Sequence, residues 1–332
     1  MAQNVRVQRG GSTRFAWRVT LAAIAILETG YSLTLAQVAA PTRLIEQTRV
    51  GQDGITGPEL PAAEPELPAK GAPRFTRLLR DEKNQPRALQ TSILRFSKTD
   101  GAHTIEVDLI GAIHVADPEY FDLLNRAFPS YDALLFELVA PKDFKMPAAG
   151  EARANSPVSS VQTGLTDVLN LTFQLDRIDY QRPNFVHADM TPEQFAQSWK
   201  DRDESITKMF FRMMGQSMVR QTETAGTGDL RTMVALFSKD RDYRLKCLLA
   251  EEFADVERSV TGINGSDGST LLTERNKKAL EVLQQQIDKG KRRIGIFYGA
   301  GHMPDMERRL TDEFDVAATQ IRWITAWDLK RP

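Results

Sequence analysis

The chain predicts an α/β (α+β-like) domain: a central mixed sheet with flanking helices and a helical insertion. Three observations support this. Short apolar runs that read as buried strands alternate with stretches of helical periodicity. Two of these runs, Val107 to Ile113 and Ile294 to Tyr298, lead into the same pattern, Gly111-Ala112-Ile113-His114 and Gly299-Ala300-Gly301-His302. A helix-start signal follows each, so both histidines fall at strand-to-helix turns. At 332 residues and 41% hydrophobic content, the chain can bury a sizeable core as one large domain or two small ones.

Residues 1–39 read as a signal peptide or N-terminal anchor. Arg6, Arg9, Arg14 and Arg18 precede the apolar stretch Val19 to Leu27, and small residues follow, with cleavage expected after Ala36 or Ala39. The apolar run is too short for a standard transmembrane helix. Glu28 cuts it short even for a signal, which leaves membrane association through an uncleaved interfacial anchor as the alternative. The expectation is an exported protein: periplasmic, held in the cell envelope, or secreted. Residues 40–74, rich in Pro, Ala, Glu and Gly, read as a flexible linker that cannot bury enough apolar surface to order itself. The folded domain is expected over 75–332.

Within it, Ala88 to Ser97 and Thr104 to Ile113 read as strands joined by Lys98-Thr99-Asp100-Gly101, a hairpin signal. Asp117-Pro118-Glu119 reads as a helix start with Asp at the N-cap, and the helix should run to about Phe128. Ala133 to Val139 is the next strand, which places His114 in a βαβ unit. Open α/β sheets bind ligands at the carboxyl ends of parallel strands, so His114 and Glu137 should share one sheet edge. Residues 159–261 read mostly as a helical insertion, in which Thr191-Pro192-Glu193 starts one helix after the strand-like Asn184 to Ala188. It includes a soft apolar cluster from Met209 to Met218, a charged helical face over Asp229 to Val260, and a loop at Asn264 to Ser269. A helix from Thr273 to Lys289 stops at Gly290. Strand Arg293 to Tyr298, a helix from Pro304-Asp305 and a last strand Gln320 to Trp327 complete the domain.

With 43 basic and 44 acidic residues, nothing in the bulk charge points to a nucleic-acid partner. The single cysteine, Cys247, excludes an intrachain disulfide and a Cys-x-x-Cys zinc site, and it reads as a buried inert thiol. The chemistry therefore rests on the histidines. From 21 glycines and 4 histidines, about a quarter of one Gly-x-x-His coincidence at a strand end is expected, and two occur. His114, His302 and Glu137 supply two imidazoles and a carboxylate, a workable set for Zn, Mn or Co. Such a cation would lower the pKa of a bound water, and Glu137 could instead act as general base. Arg275, at the start of a helix, could stabilise an oxyanion or simply pair with Glu137. His187 and Asp189 could also reach the site as additional ligands, although Asp189 or Thr191 could merely cap the following helix. His103 reads as a surface residue.

These residues resemble the TraB/PrgY/TIKI superfamily, which includes GumN-like proteins. The resemblance rests on the two Gly-x-x-His segments, Glu137 in Leu-Leu-Phe-Glu-Leu, and Glu274-Arg275-Asn276 opening a helix. It spans about Ile105 to Val139 and Leu271 to Leu310. It implies a metal-dependent hydrolase fold related to the erythromycin-esterase and ChaN-like group, with His114, Glu137, Arg275 and His302 as the site. TIKI members are divalent-metal proteases acting on secreted proteins, so the expected substrate is a peptide or protein. The alternative is a non-catalytic protein that sequesters a peptide, haem or metal in the envelope, since the chain has no HExxH protease motif.

Overall fold

The computed structural model describes residues 60–69, 72–100, 103–141, 144, 171–202, 238, 240–254 and 270–331. The expected export signal, the Met209 to Met218 cluster and the Asn264 to Ser269 loop lie outside these residues. No helix among the described residues is long and apolar enough to cross a membrane.

The core is a seven-stranded mixed sheet. It comprises β1 (Thr76–Arg80), β2 (Pro86–Asp100), β3 (His103–Ala112), β5 (Ala133–Phe136), β7 (Phe185–His187), β8 (Arg293–Gly299) and β9 (Ala317–Asp328). A separate two-stranded ladder joins β4 (Val115–Ala116) to β6 (Thr172–Phe173). β3, β8, β5 and β7 run parallel, in that order across the sheet. The long strand β2 pairs antiparallel with β3, β1 and β9.

Alternation along the strands sorts their side chains onto two faces. On one face Ile93, Ile110 and Phe297 join Phe121 and Leu124 of α1 (Pro118–Ala127). On the other, Leu94, Leu109, Ile296 and Tyr298 join Leu280 and Leu283 of α5 (Arg275–Asp288) and Met306 and Leu310 of α6 (Met303–Phe314). Each such fully buried side chain contributes roughly 1.5–3 kcal/mol of transfer free energy. The two faces together hold the parallel strand ends in register.

Several expectations need adjusting. The hairpin strands run on to Asp100 and His103, because Ser97 to Asp100 continue the ladder with Glu106 to His103. The turn therefore lies at 101–102, outside the described residues. Residues 60–69 belong to the fold, not to a free linker. Glu64 donates its N–H to Ile321 on the edge of β9 and pairs with Arg77 at 2.8 Å, while Leu60 and Leu67 pack on the core.

Nor is 159–261 simply a helical insertion. Residues 171–202 supply β6, β7, a short helix α2 (Gln174–Arg177) and α3 (Pro192–Asp201), and β7 extends the main sheet beside β5. Helix α4 (Arg241–Ala254) is more than a solvated face, since Leu249, Ala250 and Phe253 are buried and the Phe253 ring meets Trp327 edge-on. Asp117 stands at the N-cap of α1 but makes no capping bond. Its carboxylate instead accepts from Lys246 Nζ at 2.7 Å and the Asp328 N–H at 2.6 Å, tying α4 and β9 together. Thr191 makes the full capping box of α3 with Gln194, which leaves Asp189 free for another role. Cys247 is half-buried, and burial pushes its thiol up, consistent with an inert side chain.

Candidate functional site

β3 and β8 are neighbours, so the two Gly-x-x-His segments emerge side by side at the carboxyl end of the parallel strands. Their register is offset by one residue: Gly299 lies opposite Ala112, and Gly111 opposite Tyr298. After β3 the chain passes through His114 into β4, whereas after β8 one short turn, Ala300–His302, feeds directly into α6. Glu137 stands one residue past the end of β5. All three side chains are buried.

They converge in front of Gly299. A Cβ placed there would lie 3.4 Å from Glu137 Oε2, 3.5 Å from His114 Nε2 and 3.8 Å from His302 Cδ2. A side chain at Gly299 would therefore stand in ordinary contact with all three groups, and its N–H donates to Glu137 Oε2 at 2.7 Å. Neither Gly299 nor Gly111 takes a positive φ, so conformational freedom is not what the position needs. Gly111 is less demanding still, because a Cβ there would meet Ala300 and Ser92 O only at 3.6 Å.

Arg275 opens α5 directly after a π-helical turn, Thr270–Glu274, which sets the guanidinium at the buried end of the helix. It donates from Nη2 to Glu137 Oε1 at 2.7 Å and to Asp189 Oδ2 at 2.6 Å, and from Nε to Asp189 Oδ1 at 3.0 Å. Asp189 thus takes two guanidinium nitrogens and also the Met190 N–H at 2.7 Å. Here Asp189 holds Arg275 in place and does not stand as a metal ligand. His302 Nε2 lies 3.4 Å from Glu137 Oε1.

Burial pushes the Glu137 carboxyl up, but the Arg275 guanidinium beside it outweighs this and holds Glu137 well below the usual carboxylate range. Burial also lowers His114 below the ordinary imidazole value, more than nearby Glu137 raises it. Both effects favour a carboxylate and a neutral imidazole side by side at neutral pH.

His187 is not brought into the cluster. Its Nε2 donates to the Leu138 carbonyl at 2.6 Å and its ring lies 5.7 Å from that of Phe136, so it belongs to the packing of β5 on β7. His103 is exposed, as expected. Two amides also contribute, which the sequence pattern does not mark as site residues. Gln174 Oε1 lies 3.1 Å from His114 Nδ1, and Asn276 Oδ1 lies 2.6 Å from His302 Nδ1. The Asn276 signal was present in its place beside Arg275, but nothing in the sequence says that it reaches His302.

The chain matches no family model, no curated protein and no solved structure.

The donor chemistry suits a divalent cation. Two imidazoles and a carboxylate meet, and bonds of about 2.1 Å in a tetrahedron set neighbouring donors about 3.4 Å apart; His302 Nε2 and Glu137 Oε1 have that spacing. Among the described residues, the two carboxylates Glu137 and Asp189 share the Arg275 guanidinium. Among the described residues, however, no three His, Cys, Asp or Glu side chains stand as a preformed cage.

Proposed function

We propose that the chain is an exported metal-dependent hydrolase of the TraB/PrgY/TIKI type, acting on a peptide or protein substrate. Its fold would be that of the erythromycin-esterase and ChaN-like group. One observation carries the reading: two Gly-x-x-His histidines and a buried carboxylate converge on one glycine at the carboxyl end of a parallel sheet.

In this reading His114, His302 and Glu137 hold the cation, Mn, Co or Zn. When bound, such an ion polarises a substrate carbonyl and lowers the pKa of a water molecule. The chain's own residues do the rest. Glu137, kept ionised by Arg275 and by the Gly299 N–H, would bring the negative charge to the cation; alternatively, in place of binding the cation, it would take a proton from a water beside it. Arg275, clamped by Asp189, offers a fixed positive charge to an oxyanion developing at a scissile carbonyl without reorganising. The export signal would place this chemistry in the periplasm, at the envelope or outside the cell.

The test is cation content and affinity of the purified chain beside His114→Ala and His302→Ala. Stoichiometric Mn, Co or Zn binding that is lost in both variants is expected. Equal, negligible binding in all three overturns the reading. A second reading, a non-catalytic protein that sequesters a peptide, haem or metal, is favoured by one observation: both oxygens of Glu137 already accept hydrogen bonds, from Arg275 and Gly299. Binding of a ligand without turnover would favour it.

A further inference from the structure

We propose that Asn276 is a positioning residue that fixes the tautomer of His302, so that a bare Nε2 faces Glu137. Its use in cation binding rests on the function proposed above, but the hydrogen-bond geometry does not. Asn276 is fully buried at the start of α5, next to Arg275. Its Nδ2 donates to the His302 backbone carbonyl at 3.2 Å and to Asp305 Oδ2 at 2.9 Å. A carbonyl oxygen and a carboxylate can only accept, so the amide nitrogen must face both of them. Its oxygen is then committed to His302 Nδ1, 2.6 Å away. An amide oxygen also only accepts, so Nδ1 must carry the proton. In the neutral ring Nε2 is left as a lone pair.

The outer end of this relay is anchored as well. Asp305 accepts from Arg309 Nε at 2.9 Å and from Arg308 Nη2 at 2.7 Å, which keeps it ionised and unable to donate. The order is therefore Arg309 to Asp305 to Asn276 to His302, running from the buried side of α6 into the cluster. His114 has an amide partner of the same kind, Gln174 Oε1 at 3.1 Å from Nδ1, with Gln174 Nε2 donating to the Tyr180 hydroxyl at 2.7 Å. At His302 the amide's orientation is fixed by two groups that can only accept.

The consequence is chemical. With Nε2 protonated, His302 would donate to Glu137 and close the contact as an ordinary hydrogen bond. With Nε2 bare, a lone pair faces a carboxylate oxygen at 3.4 Å, and the space between them calls for a positive ion. Asn276 thus converts a hydrogen-bonding pair into a pair of cation donors.

The test is long-range 1H–15N correlation on the metal-free chain with 15N-labelled histidine, at about pH 8.5, where a free imidazole is neutral. Wild-type His302 is expected as the Nδ1–H form, and in Asn276→Leu the Nε2–H form is expected to grow in. Co2+ titration of the same samples should show an affinity loss of about 10- to 100-fold in the variant. An Nε2–H ring at His302 in the wild type overturns the proposal, and this measurement needs no variant to fold. An Asn276→Leu spectrum with an unchanged Nδ1–H ring in a folded protein overturns it too. An Nδ1–H ring in a wild type that binds no Co2+ supports the proposal while removing the metal reading.

Discussion

Two buried arginine–carboxylate clusters sit at different depths of the same sheet, and they are built differently. Near the amino ends of the parallel strands, Asp108 on β3 takes Nε and Nη2 of its cross-strand neighbour Arg95 at 2.7 and 2.8 Å, plus the Tyr131 hydroxyl at 2.8 Å. Arg95 also reaches Glu106 through Nη1 at 3.2 Å, so this guanidinium too serves two carboxylates, both of them on β3. At the carboxyl ends, the Arg275 guanidinium is shared by Glu137 and Asp189, and His114 and His302 stand around Glu137 in front of Gly299. The first cluster joins two neighbouring strands across their ladder. The second gathers side chains from several separate elements at the strand ends, the place where open α/β sheets bind ligands.

The comparison can be broken most decisively at the histidines. His114→Ala and His302→Ala should each abolish stoichiometric Co2+ binding, read by titration, while the fold persists by circular dichroism. Next, Asp108→Ala should cost about 2–3 kcal/mol in a denaturant melt, because Arg95 keeps only its longer contact to Glu106 and the buried Tyr131 hydroxyl loses its acceptor. The same measurement on Asp189→Asn should show a smaller loss, about 1–2 kcal/mol, since Arg275 keeps Glu137 and the amide oxygen of the variant still accepts. Equal losses at Asp108 and Asp189 would erase the distinction drawn between the two clusters. Hydrolysis, once a substrate is found, should nevertheless fall in Asp189→Asn, because Arg275 would no longer be held.

Smaller effects sharpen the contrast between the two glycine turns. Gly299→Ala puts a methyl group among Glu137, His114 and His302 at ordinary contact distance, so stability should shift by less than about 1 kcal/mol while Co2+ affinity drops about tenfold or more. Gly111→Ala should leave Co2+ affinity unchanged and alter stability by no more than about 0.5 kcal/mol, because a Cβ there meets nothing closer than 3.6 Å. If both substitutions behave alike, the space in front of Gly299 is not the centre of the site.

Much of the sheet was legible because its signals are local. Apolar alternation in β2, β3 and β8, the Pro118, Pro192 and Pro304 helix starts, and Gly290 with φ 84° closing α5 all depend on residues close in sequence. Boundaries drifted where a neighbour decided them. Asp100 and His103 extend the hairpin because their ladder continues, and Glu137 leaves β5 because its carboxylate turns to Arg275 and Gly299. Glu64 bridges to β9 despite a composition that reads as linker, since a single edge hydrogen bond and one ion pair were enough to seat that segment.

By itself the sequence determined which chemical groups are present and roughly where each lies along its element: two histidines just beyond strand ends, a carboxylate closing an apolar run, an arginine opening a helix. These follow from spacing and periodicity, which are properties of neighbours in the chain. Only the tertiary structure decided which groups meet. It sends Asp189 to Arg275 and not to a cap, turns His187 to the Leu138 carbonyl, and brings Asn276 to His302 across 26 positions of sequence. Those choices follow from strand order and from the need of each buried polar atom for a partner, and neither is written in the local pattern.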